Sequence, residues 1–189
     1  MSADRIIALP ENVMKILALL ETAGFQAYAV GGCVRDALLG KNPEDWDICT
    51  CAQPRQVMEA LQGFTVLETG LQHGTVTAVI NRKPFEITTF RLDGAYSDHR
   101  RPDSVTFTDD LTADLSRRDF TVNAMAYHPA EGLMDPFGGA GDLRASILRC
   151  VGAPALRFEE DALRILRCLR FASTLNFSIQ ENTAKQVHQ

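Results

Sequence analysis

Two acids two residues apart carry the sharpest chemical signal in this chain: Asp45 and Asp47 flank Trp46. In an extended strand, side chains at i and i+2 point to one face, so the two carboxylates would stand together. Like charges so placed repel, a cation between them relieves the repulsion, and all-oxygen ligands select a hard ion such as Mg²⁺. A bare Asp-x-Asp also reads as a solvated pair at a strand end. Just upstream, Gly31-Gly32 stands where a short apolar run gives way to a helix-forming one. There, backbone N–H groups can face an anion with no Cβ in the way, and Arg35 can add a charge-assisted contact to a phosphate. Taken alone, the glycine pair is a plain turn. A phosphate cradle followed within one supersecondary unit by an acid pair is the equipment for nucleotidyl transfer with two metal ions. Glu86, alone in the otherwise uncharged run 85–90, is the candidate third carboxylate; the alternative is a surface-facing strand glutamate.

Two further clusters are rich in charge. Arg117-Arg118-Asp119 precedes an apolar stretch, so either Asp119 caps a helix or Arg118 contacts a ribose or phosphate. Near the C-terminus, Asp161 and Arg164 stand one helical turn apart and are followed by Arg167 and Arg170. An acceptor and a donor fork at that spacing can meet the Watson–Crick edge of a base, and they can equally form an exposed i, i+3 ion pair. Three arginines at successive spacings of three repel one another unless an anion or carboxylates offset them.

The elements that must position these groups follow from periodicity. A first helix starts near Pro10, carries Val13, Ile16, Leu17 and Leu20 at helical spacing and stops at Gly24. A buried strand over 25–30, the glycine turn and a helix over 34–39 come next, then a strand over 46–50, a helix over 54–61 and an extended piece over 64–67. Runs 75–80 and 85–91 form a hairpin about Asn81-Arg82-Lys83-Pro84. The polar stretch 92–102 reads as a mobile surface loop, and a strand over 105–107 follows it. Helices are expected over 111–116 and 120–127, and Asp135-Pro136-Phe137-Gly138-Gly139 as a hinge or domain border. Beyond it come a strand over 147–151, one long helix over 159–175 packed through Leu163, Leu166, Leu169 and Phe171, and a last helix to Gln189 opened by a Ser178/Glu181 capping box.

The 189 residues suffice for one core or slightly more, and 46% hydrophobic against 23% charged residues is the balance of a folded globular chain. The net charge of -5 opposes a broad phosphate-gripping surface, so most of any nucleic-acid grip lies elsewhere. No run of about 18 uncharged apolar residues is present to span a bilayer. The chain reads as intracellular and cytoplasmic, with no membrane partner. Five cysteines without Cys-x-x-Cys spacing read as small core fillers.

Five motifs then occur in order: Gly31-Gly32-Cys33-Val34-Arg35-Asp36, Asp45-Trp46-Asp47, the Arg117-Arg118-Asp119-Phe120-Thr121-Val122-Asn123-Ala124-Met125-Ala126 run, Asp135-Pro136-Phe137-Gly138-Gly139, and Glu160-Asp161-Ala162-Leu163-Arg164. Their order resembles the class II tRNA nucleotidyltransferases, the bacterial CCA-adding enzymes of the polymerase-β superfamily, over nearly the whole chain. The resemblance implies an α+β fold with a catalytic head over 1–139, built on a small mixed β-sheet with flanking helices. It also implies the start of an all-helical, base-reading neck over 140–189, without the body and tail domains that hold tRNA. By the same resemblance Asp45 and Asp47 are metal ligands, Gly32 and Arg35 contact the triphosphate, and Arg118 contacts the ribose. Asp161 and Arg164 pair with CTP or ATP, and Arg167 and Arg170 are further nucleotide contacts. The implied reaction adds CMP, CMP and AMP to the 3′ end of tRNA with Mg²⁺, and the 92–102 loop corresponds to one associated with switching from CTP to ATP. Bacterial poly(A) polymerases and CC- or A-adding relatives share the head, and a nucleotide- or RNA-binding module without turnover is a third reading.

Overall fold

The computed structural model describes residues 6–100 and 102–187. In chain order the fold runs through α1 (Glu11–Thr22), β1 (Ala27–Val30), α2 (Gly32–Leu38), β2 (Ile48–Thr50), α3 (Pro54–Ala60), β3 (Thr65–Gly70), β4 (Thr75–Ile80) and β5 (Lys83–Thr89). There follow β6 (Arg91–Asp93), β7 (Val105–Phe107), α4 (Leu111–Ser116), β8 (Ala126–His128), β9 (Gly132–Met134) and α5 (Gly139–Ala145). The chain continues through β10 (Ile147–Leu148), α6 (Pro154–Glu160), α7 (Leu163–Leu175), β11 (Ser178–Ile179) and α8 (Glu181–Val187). The expected run of α8 to Gln189 extends past the described residues.

A mixed sheet in the order β3-β4-β5-β2-β1-β8-β9 carries the molecule; its β2–β5 pair is parallel and the others are antiparallel. Both faces of the central strand β1 are covered, which is why it reads as an unbroken apolar run. Ala27 and Ala29 join the larger core with Val13, Ile16, Leu17 and Leu20 of α1, while Tyr28 and Val30 pack on the other face with Phe90 and Leu115. The β4–β5 hairpin closes through Asn81 and Arg82, both at positive φ (52° and 63°), the two-residue turn whose twist matches the flanking strands. The α+β architecture with a mixed sheet and flanking helices is as expected.

Several local expectations are overturned. Residues 120–127 form no helix; Thr121–Asn123 is a single 3₁₀ turn and Ala126–His128 is β8, paired with β1. Every residue of 119–128 is buried, and an element covered on all sides gives no 3.6-residue polarity to read. The long helix over 159–175 is broken: α6 ends at Glu160, Asp161 is extended (φ −144°, ψ 103°), and α7 starts at Leu163. Within α7, Leu163, Leu166 and Leu169 are exposed (42%, 63% and 48%), whereas Arg164 and Cys168 face inward. The packing positions are therefore taken by Arg164 and Cys168 with the partly buried Ile165, Ala172 and, as expected, Phe171, and not by the three leucines. Ser178 is no cap either, since it pairs with Ile147 in the parallel β10–β11 ribbon, and the side chain of Gln180 takes the Thr183 N–H at the start of α8 instead. Arg91–Asp93 pairs with Val105–Phe107, so the polar loop spans 94–104.

The Asp135–Gly139 stretch is tightly held. Both carboxylate oxygens of Asp135 accept from the first N–H groups of α5, those of Gly139 (2.6 Å) and Ala140 (2.9 Å). Gly139 lies so close to the 3₁₀ turn that a Cβ there would meet Thr121 O at 2.2 Å and Met125 Cγ at 3.0 Å. Backbone cannot yield to that overlap cheaply, so Gly139→Ala should lower stability by about 2 kcal/mol or more. Urea denaturation monitored by circular dichroism checks this, and an unchanged midpoint contradicts the close packing.

Candidate functional site

The site begins where β1 ends. Gly31 holds φ 83° to turn the chain into α2, and a Cβ at that position would stand 3.0 Å from Arg118 Nη1. Glycine is thus required by backbone sign, while the guanidinium tip above it would need to give by only a few tenths of an ångström. Beside this turn, Asp47 O accepts from Val30 N (3.0 Å), which fixes the segment entering β2 as an extended continuation of the sheet. Asp45 and Asp47 are both exposed while Trp46 between them is buried, the alternation that sets two carboxylates on one face. Both acids precede β2 and do not lie within it. The parallel β2–β5 register pairs Ile48 with Ile87, so Glu86 stands on the adjacent strand beside Asp47.

A cleft of about 500 Å³ opens above the turn, lined by Gly32, Arg35, Asp47, Arg118, Asp161, Arg164, Arg167 and Arg170, among others. Asp45 lines an adjoining cavity of about 410 Å³ that shares Gly32 and Asp47 with the first. Glu86 lines neither cavity, and its influence is electrostatic. Partial withdrawal from water raises the pKa of Asp47; the charges of Glu86 and Asp45 raise it further, and Arg118 pulls it back. Among the described residues, no side chain donates a hydrogen bond to the Asp45 or Asp47 carboxylate.

The arginine wall is organised differently, because each cation has a partner. Arg35 is buried, chelates its neighbour Asp36 through Nε and Nη2 (both 2.9 Å) and donates from Nη1 to Asn123. Arg117 is held by Asp114 (2.7 Å) and Asp93 (3.6 Å); burial pushes its pKa down, but these carboxylates outweigh that and hold it up. Arg118 lies 3.5 Å from the other oxygen of the fully buried Asp114, and that oxygen and Arg118 Nε are both without a hydrogen-bond partner. Arg164 donates to Glu160 (2.6 Å) and to the carbonyls of Arg157 (3.2 Å) and Arg117 (3.0 Å). Arg167 pairs with Asp119 (2.6 Å). The Arg35, Arg167 and Arg170 guanidiniums all lie within 5.3 Å of the Phe171 ring centre.

Asp161 and Arg164 face the cleft without sharing a helix: Asp161 sits in the break, where its Oδ1 accepts from Leu163 N (2.9 Å). Asp119 caps no following α-helix; its Oδ1 accepts from Phe120 N (2.8 Å) and Asn123 Nδ2 (3.1 Å). Asp114, Asn123 and Phe171 are cleft-organising residues that motif spacing did not single out. The available signal was Asn123, an amide in an apolar run, and Asp114, a carboxylate three residues before an arginine pair. The cysteines are unpaired; burial raises Cys33 to about 11 and Cys150 to about 12, so both stay as thiols.

Among the described residues, no three His, Cys, Asp or Glu side chains converge tightly enough to hold a metal by themselves. Two mutually repelling carboxylates that receive no hydrogen bonds nevertheless fit Mg²⁺, which is bound through one or two carboxylates with water and substrate phosphates and seldom by an all-protein cage.

A mixed sheet whose first strand ends in a glycine turn, with an acid pair entering the neighbouring strand, defines the nucleotidyltransferase fold. The chain belongs to the poly A polymerase head domain family, which matches residues 27–149. It is 46% identical over 187 residues to a CCA-adding enzyme of Lactobacillus delbrueckii subsp. bulgaricus, covering 99% of this chain and 47% of that protein. A CCA-adding enzyme of Staphylococcus aureus is 48% identical over 176 residues, covering 93% and 44%. The crystal structure of the Bacillus stearothermophilus CCA-adding enzyme in complex with CTP superposes with a TM-score of 0.83 at 43% identity, over 92% of this chain and 41% of that one. The chain therefore spans about half the length of the relatives it matches. No helix among the described residues is long and apolar enough to cross a membrane.

The raised pKa of Asp47 has a definite sign. Its ionised form is disfavoured in the folded state, so its favourable contribution is fully present below the ordinary carboxylate value of 3.8 and is lost as pH rises through the elevated one. Asp47→Asn should therefore melt at a higher temperature than the parent at pH 7 in EDTA, with the gap closing as pH falls toward 4. A variant less stable than the parent at pH 7 would contradict the electrostatic picture.

Proposed function

We propose that this chain is the catalytic head and base-reading neck of a tRNA nucleotidyltransferase that adds CMP, CMP and AMP to tRNA 3′ ends from CTP and ATP. The carrying observation is a cleft that sets Asp47 opposite a fixed arginine cluster, with Asp45 in the adjoining cavity that shares Gly32 and Asp47, in a chain 46% identical to a CCA-adding enzyme. The division falls near residue 139, with the head before it and the neck after. Gly32 and Arg35 contact the triphosphate and Arg118 the ribose. Asp161 and Arg164 read the base, and Arg167 and Arg170 complete the nucleotide contacts.

The side-chain chemistry supports these roles. Arg164 commits three of its five N–H donors to Glu160, Arg157 and Arg117, which fixes its plane and leaves donors for an acceptor on a base. Asp161 supplies the complementary acceptor, so choice between nucleotides comes from protein hydrogen bonds in place of a template strand. Arg35, already neutralised by Asp36, can approach a phosphate without leaving an isolated charge in the empty cleft.

Asp45 and Asp47, with Glu86 reinforcing the negative field, are the residues that would hold Mg²⁺. Bound there, Mg²⁺ would lower the pKa of an attacking 3′ hydroxyl and offset charge on the departing pyrophosphate. The unpaired thiols fit a reducing, cytoplasmic setting. Poly(A) addition is the second reading, favoured by the description of the head-domain family, and it differs in taking ATP alone on generic RNA.

The test supplies the intact gene product with Mg²⁺, labelled nucleotides and tRNA lacking its 3′ end. CMP followed by AMP incorporation is expected, with Asp47→Ala and EDTA each abolishing transfer. Extension of generic RNA by ATP alone would select the second reading, and no incorporation would overturn both. Arg164→Ala should cut the preference for CTP over GTP by at least about tenfold, the worth of one good hydrogen-bonded discrimination. Unchanged preference in a steady-state comparison would remove Arg164 from base reading.

A further inference from the structure

The two ends of the cleft are joined by a continuous side-chain bridge. Arg35, on α2, donates from Nη1 to Asn123 Oδ1 (2.5 Å). Asn123 Nδ2 donates to Asp119 Oδ1 (3.1 Å), and Asp119 Oδ2 takes Arg167 Nε (2.8 Å) and Nη2 (2.6 Å) from α7. Asn123 and Asp119 are only 5% and 7% exposed, so water competes little at the centre of the bridge, whereas its Arg167 end is open to solvent. The amide has no freedom of orientation, since an arginine donor demands its oxygen and a carboxylate demands its nitrogen. Phe171 backs the bridge, with Arg35 and Arg167 over its ring (5.1 and 5.3 Å) and the Phe120 ring edge-on to it at 6.0 Å.

We propose that Asn123 is a positioning residue that couples the triphosphate end of the cleft, through Arg35, to the base end, through Arg167. The proposal rests on the reading of the cleft as a nucleoside triphosphate site. A phosphate drawing on Arg35 changes the pull on Asn123 Oδ1, and the amide passes that change to Asp119 and so to the guanidinium one turn from Arg164. Occupancy by the triphosphate thereby sharpens the choice of base by way of Asn123, which lines the cleft with only 5% of its surface exposed and acts through the two guanidiniums it links. Asparagine suits the position because it carries an acceptor and a donor on one short planar group. Aspartate would keep the acceptor for Arg35 but set a second carboxylate against Asp119, cutting one link only.

Asn123→Asp separates this coupling from simple support of Arg35. Equilibrium binding of inorganic tripolyphosphate, CTP and GTP, all with Mg²⁺, is measured for the parent chain and the variant. Tripolyphosphate affinity is expected to stay within about twofold while the preference for CTP over GTP falls by about tenfold, the usual size of an intersite coupling. Unchanged preference, or equal losses for tripolyphosphate and CTP, overturns the proposal. A parent chain that shows no preference between CTP and GTP instead overturns the underlying reading of the cleft. A second comparison needs no variant: in the parent chain the CTP to GTP preference should exceed the CMP to GMP preference, because the monophosphates lack the phosphates that engage Arg35. Equal ratios overturn the coupling.

Discussion

Like-charge crowding around one cleft is the constraint to which the rest of the structure answers. Among the described residues six arginines line the cavity, and the fold makes that tolerable by placing carboxylates behind five of them and an aromatic ring behind Arg170. Asp36 answers Arg35, Asp114 answers Arg117 and Arg118, Glu160 answers Arg164, and Asp119 answers Arg167. Phe171 takes three guanidiniums on its ring. The acid wall has no such backing. Asp47 feels Glu86 and Asp45 with only Arg118 opposing them, so its repulsion is left for something from solution to relieve. A cleft with one wall internally neutralised and the other not has a charge pattern that suits a cation and an anion together, which supports the proposed binding of a metal-bound triphosphate.

The sheet supplies this arrangement with few residues. Strand alternation about Trp46 makes the acid pair, the parallel β2–β5 register adds Glu86, and the positive φ at Gly31 brings α2 and Arg35 to the same edge. Arg118 hangs close over that turn, where no Cβ stands. The C-terminal helices contribute through the break between α6 and α7, since the extended Asp161 and the start of α7 set Arg164 and Arg167 on the cleft wall.

What was legible in the sequence follows the range of the forces involved. The glycine turn, α1 and the β4–β5 hairpin are set by period-2 or period-3.6 patterning and local turn chemistry, and they stand where spacing puts them; the acid pair keeps its alternation about buried Trp46 but precedes the strand expected to hold it. Residues 120–127 were misread because burial on every side erases polarity, and only pairing with β1, nearly a hundred residues away, makes β8 a strand. Leu163, Leu166 and Leu169 differ for the opposite reason: helical spacing points to an apolar face through them, yet α7 meets the core through Cys168, Ile165, Phe171 and Ala172, with Arg164 buried beside them and the leucines turned out. Ser178 lost its capping role to a two-residue parallel ribbon that local sequence does not announce. Asn123 shows in the sequence only as an amide in an apolar run; its bridge depends on Arg35, 88 residues away, and on Asp119, which is itself held by Arg167 from 48 residues further along the chain.

The most direct measurement of the central claim is titration of Mn²⁺, a spectroscopic stand-in for Mg²⁺, into this chain with and without a non-hydrolysable CTP analogue, followed by electron paramagnetic resonance. The account predicts weak binding by the chain alone, binding at least about tenfold tighter with the nucleotide than to either component by itself, and loss of the enhancement in Asp45→Asn/Asp47→Asn. Enhancement that survives the double substitution, or Mn²⁺ binding indifferent to the nucleotide, would contradict it.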